Sequence, residues 1–273
     1  MITLADNMML PQLKNIWSEC FGDTGEYIDF YFSQHFKPQR TLVYLKDDKP
    51  VSMLTLLPAK LIKNGKYVPV CYVYAVATLP LWQGLGISTQ LLSYAGCELA
   101  KSGVDITVLA PASNKLFAFY KKCGYTEAFS VKQAAFAAED KPINIKTENI
   151  LPQEYKILRD KFFCGEGYLC WDKEAIEYAL CENSFCGGFN LKITANGATY
   201  AAMCRIKDEV LCVKEATLIP QLIRPVLSFV AKQNNCKSVE LTLPYDSAFA
   251  GDLLKKGMAS TVLVCGYMNL VLD

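Results

Sequence analysis

The feature that most constrains this chain is a long hairpin. Two apolar stretches, 51–62 and 67–79, are joined by Lys63-Asn64-Gly65-Lys66. Asn-Gly accepts the positive φ of a type I′ turn, so the spacing predicts two long antiparallel strands. Pro80 cannot donate to a ladder and ends the second strand. Then come Gln83-Gly84-Leu85-Gly86-Ile87-Ser88 and a helix to about residue 102, with Ile87, Leu91, Leu92, Ala95 and Leu99 on its apolar face. A glycine turn at a helix N-terminus offers unpaired amides and the positive end of the dipole, so a phosphate or pyrophosphate is its natural guest. A doubly wound parallel sheet does not open on such a hairpin.

Before the hairpin the pattern predicts helices over 11–21 and 26–36 and a strand over 41–46. Tyr27, Phe30, Tyr31, Phe32 and Phe36 make the second helix aromatic on most sides, as a doubly packed helix or as the wall of a pocket. His35, the only histidine, has no acid or cysteine partner in sequence and reads as structural. After the glycine loop come a strand over 104–110, a helix capped by Pro111-Ala112-Ser113-Asn114 and running through Cys123, and strand material over 125–138. Gly103 and Gly124 stop the two helices. The polar Glu139-Asp140-Lys141-Pro142 marks a boundary between domains 1–138 and 139–273.

The second half repeats the order. Helices are expected over 153–163, 172–181, 222–233 and 247–256. Strands are expected over 189–194, 199–206, 210–218 and 238–243, with a last strand or pair from 261. Ala77-Thr78-Leu79 has its echo in Ala216-Thr217-Leu218. Thirteen positions separate Pro111 from Gly124, and thirteen separate Pro244 from Gly257. The interval from Thr78 to Pro111 is 33 residues, against 27 from Thr217 to Pro244. The missing residues fall where the first half has its glycine loop. There the second half has Pro220-Gln221-Leu222-Ile223-Arg224-Pro225, and proline removes backbone donors. These features predict two copies of one fold, the second lacking the anion-binding turn.

Composition narrows the class. With 52% hydrophobic residues among 273 and a net charge of +1, the chain can bury a real core. It has no basic run for nucleic-acid phosphates or a membrane surface. No apolar stretch reaches the length of a membrane span. The N-terminus has no basic region before an apolar block, so a cytoplasmic location is expected. The twelve cysteines are then expected as thiols. Cys164, Cys170, Cys181 and Cys186 are irregularly spaced and lack a nearby His, so no metal is predicted.

Competing nucleotide loops fail on inspection. No Lys-Ser/Thr follows the glycines, as a P-loop requires. Thr89 stands where the dinucleotide pattern needs its third glycine, and Asp105 begins a predicted strand instead of ending one. Gln83-x-x-Gly86-x-Ser88 instead resembles the [QR]-x-x-G-x-[GA] acyl-CoA loop of the GCN5-related N-acetyltransferase (GNAT) superfamily, with Ser88 where Gly or Ala is usual. The strand Val76-Ala77-Thr78-Leu79-Pro80 resembles the family's fourth strand. The stretch from Asn114 to Tyr125 resembles its Asn…Phe-Tyr-x-x-x-Gly-Phe/Tyr helix. The likeness covers residues 1–138 in element order and 67–125 in motif.

That resemblance implies an α/β (α+β) fold of two GNAT-like domains, with mixed, mostly antiparallel sheets flanked by helices. Domain 1–138 would be catalytic and 139–273 degenerate. Acetyl-CoA would be the co-substrate. Its pyrophosphate would meet the backbone amides of Gln83, Gly84, Leu85, Gly86, Ile87 and Ser88. Its pantetheine would pair along Val76, Ala77 and Thr78, with Asn114 near the sulfur. Tyr120 would protonate the leaving thiolate. The two-copy layout also resembles the enhanced-intracellular-survival family without its sterol-carrier-like domain. The expected activity is transfer of acetyl to a primary amine of a small molecule or peptide, by direct attack in a ternary complex. No general base is evident: 67–80 holds no carboxylate, which leaves Asp23, Glu26, a water chain, a second-domain group or Asp273. A non-catalytic acyl-CoA sensor is the alternative. No nucleic-acid or membrane partner is expected, and the high apolar fraction favours self-association.

Overall fold

The structure is a computed structural model that describes residues 1–140 and 143–270. Lys141 and Pro142 of the predicted boundary, and the C-terminal carboxylate candidate Asp273, lie outside the described residues. The hairpin forms as strands β3 (Lys49–Lys63) and β4 (Lys66–Thr78). Asn64 and Gly65 take φ of 52° and 68° at its tip, as the Asn-Gly turn demands.

By packing, the chain divides into two units. One comprises Met1–Lys60, Val68–Thr126 and Met258–Val262; the other comprises Leu61–Tyr67, Glu127–Gly257 and the stretch from Leu263. These units record which residues pack together and do not test the division at 138/139 expected from the sequence.

In the first unit the strand order is β1 (Ile2–Leu4), β2 (Thr41–Lys46), β3, β4, β5 (Thr107–Leu109). The β1–β2 and β2–β3 pairs are antiparallel, and β4–β5 is parallel. Met258 and Ala259, the end of β13 (Asp252–Ala259), pair antiparallel with Leu109 and Val108 on the far side of β5. Four helices accompany this sheet: α1 (Leu10–Phe21), α2 (Gly25–Gln34), α3 (Ile87–Lys101) and α4 (Asn114–Lys122). Leu91, Leu92 and Ala95 of α3 and Phe117 and Tyr120 of α4 pack with Leu54, Val73, Leu109 and Met258 in one core. Trp17 of α1 lies 4.1 Å, ring to ring, from Tyr31 of α2, and both are buried. The aromatic face of α2 is therefore core, and His35 is buried at its end.

In the second unit the order is β6 (Thr126–Ala137), β12 (Ser238–Pro244), β11 (Val210–Ala216), β10 (Ala198–Lys207), β9 (Phe189–Ala195), β7 (Ile145–Asn149). Only β11–β12 is parallel among these pairs. Helices α5 (Pro152–Phe162), α6 (Lys173–Phe185) and α7 (Pro220–Gln233) complete it. The apolar face of α7, from Leu222 to Ala231, packs on β11 and β12. Each unit thus has an antiparallel meander leading into one parallel pair, with a helix between the parallel strands.

Two expectations fail. Residues 247–256 form no helix; β13 is a strand there. Backbone packing overrides the amphipathic pattern. A Cβ on Gly251 would lie 2.6 Å from the Gln133 carbonyl oxygen, so the segment runs directly against β6. Phe249 packs by Phe136 at 5.9 Å, with the Arg224 guanidinium over both rings. The equal Pro-to-Gly spacing of the two halves therefore does not mark a second copy of α4. Nor does a strand begin at 261: up to residue 270 there is one isolated bridge, Phe129 to Gly266. The short strands β1, β7 and β8 (Leu169–Trp171) carry too little periodicity to be predicted. Among the described residues, no helix is long and apolar enough to cross a membrane.

Candidate active site

The site grows from the parting of two parallel strands. β4 and β5 pair at Cys71–Thr107 and Tyr72–Val108. β4 then runs on to Thr78 while β5 stops at Leu109. Within β4, Ala75 has φ +50°, a left-handed value that costs an L residue energy and breaks strand alternation. An alanine carries no sequence signal for such a kink, so this feature was invisible beforehand.

Beyond Thr78 the chain makes a single 3₁₀ turn, Pro80–Trp82, and enters the glycine loop. Gly84 and Gly86 have φ of 78° and 74°, and a Cβ on either would meet nothing within 4 Å. Residues 83–86 are all exposed. Among the described residues, the amides of Gly84, Leu85 and Gly86 donate to no protein acceptor. Gly86 is the N-cap of α3 and gives no side-chain cap, so the first-turn amides of Ile87 and Ser88 are left without one. The Gln83 amide departs from expectation: it donates to the Pro80 carbonyl at 3.2 Å and closes the 3₁₀ turn. Its side chain donates instead to the Thr78 carbonyl at 2.9 Å, tying loop to strand end.

Thr78 is the hub of this tie. Its hydroxyl lies 2.7 Å from Ser52 Oγ and 2.8 Å from Ser88 Oγ. Its carbonyl also accepts from Cys20 Sγ at 3.3 Å. Ser52 Oγ donates to the Ala77 carbonyl at 2.6 Å. Ser88, which departs from the family's small apolar choice, is therefore used: its hydroxyl pins α3 to β4. Of the three strand residues singled out, Ala77 and Thr78 have engaged carbonyls, while Val76 has no such side-chain bond. Ser52 and Cys20 were missed, since a lone Ser in an apolar strand and a lone Cys on a helix give no spacing signal.

Tyr120 on α4 is 7% exposed, packed by Phe119 and Tyr125 at 5.1 and 5.8 Å. Its hydroxyl has no hydrogen-bond partner among the described residues. Burial, with smaller effects from Tyr125 and Cys123, pushes its pKa well above the ordinary phenol value. It therefore stays protonated. Asn114 is exposed at the first position of α4, after Ser113 caps the helix at the Leu116 amide. Asp23 accepts from the Trp17 indole at 2.7 Å, and Glu26 is exposed in the first turn of α2. A cavity of about 570 Å³ is lined by Asn15, Lys49, Val51, Leu79 and Trp82.

Residues 2–128 match the acetyltransferase (GNAT) domain family model, so the resemblance seen in the motifs holds across that whole region. Solved structures share the fold over nearly the full length. A GCN5-related N-acetyltransferase from Anabaena variabilis superposes with a TM-score of 0.78 at 18% identity, covering 95% of this chain and 72% of that one. Eis1 from Mycobacterium abscessus gives 0.72 at 14% identity, with 95% and 73% covered. A probable N-acyltransferase from Enterococcus faecalis gives 0.72 at 16%, with 95% and 72% covered. The sequence matches no curated protein. The fold is the mixed α/β GNAT fold, with mostly antiparallel sheets flanked by helices.

Proposed function

We propose that the chain is an N-acetyltransferase that uses acetyl-CoA to acetylate a primary amine, with residues 1–138 catalytic and the rest a degenerate second copy. The observation that carries this reading is the open loop. Gly84, Leu85 and Gly86 are exposed, their amides donate to no acceptor among the described residues, and they lead into the N-terminus of α3 after a strand that outruns its parallel partner. These are the groups a diphosphate needs, and the positive φ of both glycines keeps side chains out of its way.

When bound, acetyl-CoA supplies the activated acetyl group and the thiolate leaving group. The chain's own part is to hold and orient. The loop amides Gly84 to Ser88 take the pyrophosphate, with Gln83 bracing the loop through its side chain. The backbone at Val76 takes the pantetheine arm, with Asn114 at the head of α4. Tyr120 keeps its proton at neutral pH and holds it ready for the sulfur as negative charge builds there. A primary amine arrives protonated and must lose a proton before it attacks. Glu26 and the free oxygen of Asp23 are the carboxylates near the aromatic helix that bear on that step.

Incubating the protein with acetyl-CoA and a panel of amines, with products read by mass spectrometry, tests the reading. Acetylated product supports it; no product from any amine contradicts it. Tyr120→Phe is expected to lower turnover by about 10²-fold, the scale of one acid–base group, and to leave CoA affinity unchanged. Unchanged turnover in this variant removes Tyr120 from the chemistry. A non-catalytic acyl-CoA sensor, the second reading, is favoured by the absence of a carboxylate along β4 and would bind CoA without product.

A further inference from the structure

Three hydroxyls stand in a row behind the glycine loop, and the direction of each hydrogen bond between them follows from counting hydrogens. Ser52 on β3 is fully buried, Thr78 at the end of β4 is 7% exposed, and Ser88 in the first turn of α3 is half-buried. A hydroxyl has one hydrogen to give and two lone pairs with which to accept. Ser52 Oγ lies 2.6 Å from the Ala77 carbonyl oxygen, which can only accept, so the Ser52 hydrogen goes there. Ser52 Oγ also lies 2.7 Å from Thr78 Oγ1 and, with its own hydrogen committed, accepts from it. Thr78 Oγ1 lies 2.8 Å from Ser88 Oγ and, for the same reason, accepts from it. The order is fixed from end to end: Ser88 donates to Thr78, Thr78 to Ser52, and Ser52 to the Ala77 carbonyl.

We propose, resting on the reading of this loop as the CoA site, that Ser88 and Thr78 are positioning residues for the pyrophosphate, and that the Ser88 hydroxyl gives no hydrogen bond to the ligand itself. The one hydrogen of Ser88 is already held by Thr78. What its oxygen has left are lone pairs, which a phosphate oxygen repels. The hydroxyl therefore acts through the backbone, by holding the first turn of α3 against β4.

A second tie works at the other end of the loop. Gln83 Nε2 donates to the Thr78 carbonyl at 2.9 Å, and Cys20 Sγ donates to the same oxygen at 3.3 Å. Thr78 thus fastens the loop on both sides of Gly84, Leu85 and Gly86, by its carbonyl before them and by its hydroxyl after them. A turn with two glycines has wide backbone freedom when left to itself. Fastening its ends narrows the spread of the amides before the anion arrives, and donors ordered in advance lose less entropy on binding. A glycine or alanine at position 88 would fill the same place without the second tie.

Calorimetric titration with CoA tests the proposal on the parent, Ser88→Ala, Thr78→Val, the double variant and Thr78→Ser, with the melting temperature of each as the check on folding. Ser88→Ala removes one hydroxyl from a helical position that alanine favours, so the fold is kept. It is expected to weaken CoA binding about three- to tenfold, the scale of one hydrogen bond. Thr78→Val is expected to lose a similar factor. The double variant is expected to bind no more weakly than the weaker-binding single variant, because both substitutions cut the same bond. Thr78→Ser keeps the hydroxyl and is expected to bind CoA as the parent does, whatever its melting temperature. Undiminished binding by Ser88→Ala, losses that add in the double variant as for a hydroxyl that touches the phosphate directly, or failure of Thr78→Ser to restore binding overturns the proposal while CoA binding by the parent keeps the acetyltransferase reading. No CoA binding by the parent overturns both.

Discussion

At the scale of single residues, the site depends on backbone conformations as much as on side chains. Ala75 sits within a strand at φ +50°, where a β-branched residue is a genuine outlier. Strand propensity alone would welcome valine there. Ala75→Val is instead expected to destabilise the protein by about 1–3 kcal/mol, the cost of forcing a branched side chain into the left-handed region. Chemical denaturation checks the sign; an unchanged or higher midpoint would show that β4 is regular at this position. The glycines of the loop and the Asn64-Gly65 turn were legible because their chemistry leaves few conformations to choose from. The kink at Ala75, the Ser52–Thr78–Ser88 chain and the Gln83 amide in a 3₁₀ turn were not. Each depends on groups distant in sequence meeting in space, which no local pattern encodes.

At the scale of elements, α5 and β11 are locked by a fully buried ion pair. Arg159 and Glu215 are both 0% exposed and bond through Nε–Oε1 at 2.8 Å and Nη2–Oε2 at 3.2 Å. Tyr155 and Tyr267 donate to the same carboxylate. Removing one partner strands a charge away from water. Glu215→Gln is therefore expected to cost about 3–5 kcal/mol, read from the denaturation midpoint. A loss under about 1 kcal/mol would mean that water reaches the pair. The sequence showed the helices and long strands because their periodicity extends over many residues. It misled at 247–256, where a helical pattern of Leu253 and Leu254 loses to the approach of Gly251 on the β6 backbone. Three-residue strands such as β8 form only because a partner strand is already present, so they leave no pattern of their own.

At the scale of the whole molecule, the apolar composition places many weak acids in the interior. Burial raises the Cys71 and Cys204 thiols from 9.0 to about 12 and the Tyr125 phenol from 10.0 to about 12. These groups hold their protons when folded and release them earlier when unfolded. Their contribution to stability is complete below about pH 9 and is lost as pH rises toward 12, by about 1.4 kcal/mol per group for each unit within its window. The melting temperature is expected to fall steeply above about pH 9 and less steeply in Cys204→Ala. A flat profile to pH 11 or beyond would show these groups to be solvated. The measurement that bears most directly on the central claim is a calorimetric titration of the protein with CoA, repeated on Gly86→Val. The open amides at the start of α3 predict one CoA per chain, with binding lost or weakened at least about tenfold when a branched side chain displaces the φ +74° turn, and Tyr120→Phe binding as the parent does. No CoA binding by the parent, or equal binding by Gly86→Val, would contradict it.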